Sequence, residues 1–253
     1  MDPRGSHDLA HHTTATFAAL CAAGRPVVAL VPVGSVEPHG PHLSLLTDVV
    51  ISRGACARAT ALLEARGLAV VIAPPVPYGV TDCATGFAGA VSVPPAVLTA
   101  YLRAVIEGLR VAGCAHVCLV NNHLEPAHDA AVRAAIADLG KGASVACPLT
   151  RRWARTLSPE FKSGACHAGQ YETSIVLAVD GALVDDAARA ALPPVPISLS
   201  EKLGAGIDTF AAMGMDRAYS GDPAAATAAE GLALLDRLAA MIDGEIAAAL
   251  GLA

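Results

Sequence analysis

Four short apolar runs punctuate the chain: residues 27–33 (VVALVPV), 69–76 (AVVIAPPV), 115–120 (AHVCLV) and 143–149 (ASVACPL). Each is apolar at consecutive rather than alternate positions and is bounded by Gly, Pro or polar residues. That is the pattern of a strand buried on both faces. Ala-rich helical stretches lie between them, at 48–66, 95–112 and 126–139. Strands alternating with helices predict βαβ units, hence an α/β fold with a mainly parallel sheet covered on both sides. Asp222 and Pro223 read as the N-cap and first position of one long helix running to residue 250. Residues 192–222, richer in Pro, Gly and Ser, read as an extended loop region. No repeat or linker interrupts this order, so 1–253 read as one domain, with 1–14 as a flexible tail.

Composition narrows the classes. Of 253 residues, 54% are hydrophobic and 16% charged, which excludes a disordered chain. No charge-free apolar run reaches the roughly 18 residues that a membrane-spanning helix needs, so no membrane partner is expected. A net charge of -6 without a basic cluster argues against nucleic acid. The seven scattered cysteines form no CxxC pair and read as reduced, small buried hydrophobes. The N-terminal segment is polar and has no apolar signal core, which points to a cytoplasmic protein.

In a chain so poor in charge, nine histidines stand out. Open α/β sheets bind ligands beyond the carboxyl ends of their strands. Two strand ends here lead straight into His and carboxylate residues. After 27–33 comes GSVEPHGPHL, where Glu37 and His39 alternate and Asp48 opens the next helix. After 115–120 comes NNHLEPAH, with His123 and Glu125 alternating in the same way. Glu, His and Asp together suit Zn²⁺, Mn²⁺ or Fe²⁺. Two ions sharing a carboxylate, roughly 3.5–4 Å apart, are a recurring hydrolytic device. A third segment, CHAGQYETS, offers His167 as a proton shuttle. Its Glu172 is placed to orient that ring, ligate a metal or cap a helix. Cys166 is next to His167, but sequence neighbours rarely have the geometry for thiol activation. His42, His116 and His128 read as structural, and His7, His11 and His12 as part of the tail.

These segments, in order, resemble the creatininase (creatinine amidohydrolase) family. PVGSVEPHGPHLSLLTD, VNNHLEPAH, HAGQYETS and SGDPAAATAAEG each resemble a family segment, and TGFAGAVSV resembles a weaker Pro-Gly-Thr loop. The resemblance implies a three-layer α/β/α sandwich with a mainly parallel central sheet, two divalent metal ions and a homo-oligomer, commonly a hexamer. It also implies a metal-dependent amidohydrolase acting on C–N bonds of a small-molecule amide: a cyclic amide or other non-peptide bond, a formamide or a small peptide. Carried over position by position, Glu37, Asp48 and His123 would hold one ion, and His39, Asp48 and Glu125 the second, with His167 moving the proton. Many relatives have Gly in place of Glu125, and there the counterpart of Glu172 completes the second site. Both residues are present here.

Asn122, Pro126 and Ala88 depart from the family's usual Gly, Asn and Pro, and further departures fall on the pocket wall. Leu124 stands where creatininase has an aromatic, Cys166 where it has a Glu, and the residues just before His167 (Lys162, Ser163, Gly164) lack its Trp. Trp153 is a candidate wall residue, with a core position as the alternative. The resemblance therefore supports the hydrolytic chemistry and argues against creatinine as substrate. The rival readings are a metal-dependent isomerase or lyase on the same scaffold and a non-catalytic family member.

Overall fold

The computed structural model describes residues 7–252. In chain order, α1 (Thr14–Ala22) precedes β1 (Val27–Val33), α2 (Thr47–Ala65), β2 (Ala69–Ile72), α3 (Pro95–Val111), β3 (His116–Asn121), α4 (Pro126–Ala135) and β4 (Ala143–Ala146). Short helices α5 (Arg151–Ala154) and α6 (Pro159–Ser163) lead to α7 (Gln170–Asp180). Three more, α8 (Asp186–Ala190), α9 (Leu199–Gly204) and α10 (Phe210–Met213), lead to α11 (Ala228–Leu250). The strands form one parallel sheet in the order β2-β1-β3-β4.

Every residue of the four strands is buried, as their unbroken apolar runs require. Alternate side chains serve opposite faces. Val28 and Leu30 join a core with α2, α7 and α11, whereas Val27, Ala29 and Val31 join a second core with α3 and α4. On α3, Leu98, Leu102 and Ile106 recur every four residues and form its buried stripe. Small residues let the helices approach closely. A Cβ on Gly231 of α11 would collide with the Ser174 carbonyl of α7. The low charge and abundant Ala thus follow from two closely packed helical layers around a sheet with no wet face.

Several boundaries differ from the sequence expectation. The second run stops pairing at Ile72 because Pro74 and Pro75 have no N–H to donate, although Val76 re-forms a single bridge to Val33. The final helix starts later than Pro223, which sits in a short 3₁₀ turn; Thr227 accepts from the Glu230 N–H and is the true cap. Residues 192–222, expected as an extended loop, contain α9 and α10. Of the segment read as a tail, residues 1–6 lie outside the described residues. From His7 onward the chain is tied down: its carbonyl accepts from the Ile72 N–H at 2.6 Å, and Asp8 pairs with Arg53 at 3.0 Å. No helix among the described residues is long and apolar enough to cross a membrane.

Candidate active site

The chain leaves β1 toward β2 on one side and returns through α3 to place β3 on the other. β1 and β3 are therefore the strands at which the winding reverses, where a crevice opens at the carboxyl ends. The loops after both strands supply the candidate residues. Gly34, directly after β1, lets the start of α2 come close, since a Cβ there would lie 2.7 Å from the Asp48 Cβ. Asp48 thereby enters the site from the first turn of α2, where the helix dipole favours a carboxylate. Its Oδ2 also accepts from the Ser35 N–H at 3.1 Å.

Asp48 lies between two histidines. Its Oδ1 is 3.2 Å from His39 Nε2, and its Oδ2 is 3.0 Å from His123 Nδ1. Glu37 Oε1 is 3.1 Å from the same His123 nitrogen, and Glu172 Oε2 is 3.5 Å from His39 Nε2. The other nitrogen of each ring is engaged by a backbone carbonyl. His39 Nδ1 donates to Glu37 O at 3.1 Å and His123 Nε2 to Val80 O at 2.7 Å. Each ring is thus oriented with its free nitrogen toward the carboxylates, the arrangement seen around metal-ligating histidines. His39 Nε2 is buried and makes no hydrogen bond, although Asp48 is close. Two sets of ligand atoms lie within 4.8 Å of one another and share Asp48: Glu37–Asp48–His123 and His39–Asp48–Glu172. A third set joins Glu37, His39 and His167. The donor set and the orphaned His39 nitrogen fit divalent cations.

Three carboxylates in a buried cluster need positive charge. Burial opposes a charged His39, but Asp48, Glu172 and Glu37 around it raise its pKa to about 10. Burial likewise opposes a charged His123, and Glu37 and Asp48 push it well up. Burial raises Glu172 to about 8 against the pull of His39. His167 is held low, at about 4, by burial and by the charge of His39. Its Nε2 donates to Pro38 O at 3.0 Å, and its Nδ1 faces Glu37 Oε1 at 3.8 Å.

Above this floor lies a cavity of about 360 Å³. Its walls include Leu124, Leu149, Phe161, Leu203 and Phe210, and Phe210 packs on the His167 ring at 4.4 Å between centroids. Lys162, exposed, is the single Lys or Arg among the described lining residues. Leu124 and Cys166 line the cavity as expected wall residues. Burial raises the Cys166 thiol to about 12, which leaves it inert as a nucleophile.

Two expected site residues are placed differently. Trp153 is absent from the described lining: its indole N–H donates to Glu245 and its ring packs beside Gly244 of α11. Glu125 lines the cavity but joins none of the ligand sets, because its oxygens accept from the Asp82 and Cys83 N–H groups, both at 3.1 Å. Sequence reasoning also missed Thr81, whose hydroxyl donates to Glu37 Oε2, and Ser52, which links Asn122 to the Val33 carbonyl. Neither falls in a recognisable motif, and only the folded chain brings them to the site.

A family profile described as creatininase, creatinine amidohydrolase, matches residues 10–243. The chain belongs to the creatininase family. A mycofactocin precursor peptide peptidase of Mycolicibacterium smegmatis is 34% identical over 213 residues, covering 80% of this chain and 77% of that protein. A creatinine amidohydrolase of Pseudomonas putida is 29% identical over 114 residues, covering 43% of this chain and 42% of its own. Among solved structures, a creatininase superposes with a TM-score of 0.71 at 22% identity, covering 96% of this chain and 98% of its own. A manganese form of creatininase gives 0.70 at 22% identity with the same coverage. This family member therefore has the creatininase fold, an α/β sandwich, and belongs among amidohydrolases.

Proposed function

We propose that the chain is a metal-dependent amidohydrolase that cleaves a C–N bond in a short peptide. The observation that carries this reading is the buried convergence of Glu37, His39, Asp48, His123 and Glu172, with His39 Nε2 unpartnered, beneath an open cavity. Glu37, Asp48 and His123 would hold one divalent ion, and His39, Asp48 and Glu172 the other. The short distance from Glu172 to His39 favours it over Glu125 as the ligand that completes the second site. Divalent ions held there supply Lewis acidity, polarising a carbonyl and acidifying a water.

The chain's own groups do the rest. Asp48 spans both halves of the site, and the Glu37 and Val80 carbonyls fix the two imidazoles before substrate arrives. His167, with Nε2 committed to Pro38, takes and returns a proton at Nδ1 and delivers it to the leaving nitrogen. The apolar walls exclude water around an aliphatic or aromatic side chain, and Lys162 meets a carboxylate on the substrate. The peptide class is supported by the relative named as a peptide peptidase and by the apolar walls, which suit an apolar side chain. The test is amine release from a panel of short apolar peptides, before and after chelation. Activity lost with EDTA and regained with Zn²⁺ or Mn²⁺ is expected; activity indifferent to EDTA would overturn the reading.

A further inference from the structure

Behind His123 lies a second buried imidazole that the hydrolytic chemistry does not use. His123 Nε2 donates to the Val80 carbonyl at 2.7 Å, and the N–H of that same valine donates to His128 Nδ1 at 3.2 Å. A backbone N–H only donates, so Nδ1 of His128 is unprotonated and Nε2 carries the hydrogen. That Nε2 is buried without a partner. The two rings meet edge to face, 4.6 Å apart at 80°. Space for His128 exists only because residue 79 is Gly, since a Cβ there would collide with the His128 ring.

Packing alone does not account for this arrangement. His128 is fully buried in the first turn of α4, where an aliphatic chain would fill space without stranding a donor. What an aliphatic chain lacks is an acceptor for the Val80 N–H. Val80 lies in the irregular stretch between β2 and α3, so no strand ladder holds it: His128 holds its N–H, and the Thr81 N–H, on the same peptide as the Val80 carbonyl, donates to Ser92 Oγ at 3.0 Å.

Taking the cluster as a metal centre, we propose that His128 is a positioning residue for it. By accepting from the Val80 N–H it anchors Val80 on one side, as Ser92 anchors the following peptide on the other, and so helps aim the Val80 carbonyl, which holds His123 in the tautomer that leaves Nδ1 free toward Glu37 and Asp48. Partners one layer behind a ligand typically change metal affinity by about 10–100-fold.

The experiment measures Zn²⁺ dissociation constants for the full chain by competition with a chromophoric chelator. The proteins are wild type, His128→Leu, His128→Asn and His128→Gln. Asn sets its amide oxygen near the place of Nδ1, whereas the Gln amide reaches toward Nε2. The Leu and Gln variants are expected to weaken Zn²⁺ binding by about 10–100-fold, while the Asn variant stays close to wild type. Leu binding as tightly as wild type, or Asn binding as weakly as Leu, overturns the proposal. Should melting of the metal-free Leu variant show that it does not fold, equal constants for Asn and Gln overturn it instead. A wild-type chain that takes up no Zn²⁺ ends the metal reading itself, which separates that failure from this one.

Discussion

The floor of the cavity is carried by the ends of β1 and β3, whereas its walls come largely from residues 149–166 and 199–210, outside the sheet. On the floor, each imidazole has one nitrogen engaged by a backbone carbonyl and the other aimed at carboxylates, and Thr81 and Ser35 donate to Glu37 and Asp48. The walls instead hold short helices of four to six residues, apolar side chains and one exposed lysine. A rigid strand end suits groups that must be placed within tenths of an ångström. Loops and single helical turns suit surfaces that set substrate choice. On the proposed function, chemistry and specificity are thus separated within one cavity.

The separation is broken most severely at Asp48. Asp48→Ala removes a shared carboxylate, and a loss of roughly 10³-fold in kcat/KM is expected, the scale of deleting a main electrostatic stabiliser. Elemental analysis of the same variant should show little bound metal. The second effect distinguishes two carboxylates. Glu172→Gln should weaken Zn²⁺ binding by about 10–100-fold, while Glu125→Gln, which changes a group tied to backbone N–H groups, should leave binding nearly unchanged. The reverse order, read by dye competition, would return Glu125 to the ligand set. Gly34→Ala tests how the strand end admits α2. Its Cβ would press on Asp48 and on the Val49 nitrogen at 2.8 Å, so a loss of roughly 1–3 kcal/mol in urea unfolding is expected together with weaker metal binding. Smallest is the wall. Lys162→Met should raise KM for a free-acid peptide by no more than about fivefold, because an exposed ion pair is worth at most about 1 kcal/mol. Its kcat, and its KM for the amidated peptide, should hold.

Much of the floor was legible in the sequence, because short-range patterns encode it. Unbroken apolar runs marked β1 and β3, and the alternation of Glu37 with His39 and of His123 with Glu125 marked the loops at their carboxyl ends. What alternation does not encode is which partner each carboxylate finds. Glu125 looked equivalent to Glu37 in its motif, yet the turn at Asp82–Ala84 presents two N–H groups that capture it. Glu172, whose role the sequence left open, reaches His39 because Ala168 adopts a left-handed conformation (φ 52°) just before α7. The Ala168 N–H then donates to Glu172 at 2.6 Å. His128 read as structural, and only its bond to Val80 gives it a further part. The walls were least legible: Phe210 lies far from any motif, no pattern marks Lys162 four residues ahead of Cys166, and Trp153 packs on α11 instead. Wall residues are brought together by long-range packing of short segments, for which neither periodicity nor capping leaves a clear mark.

The most direct test of a two-ion centre is anomalous scattering at the zinc edge from crystals of the chain grown with Zn²⁺. Two peaks are predicted on either side of Asp48, one beside Glu37 and His123 and the other beside His39 and Glu172. No peak in this cluster, with zinc only at surface histidines, would contradict the account.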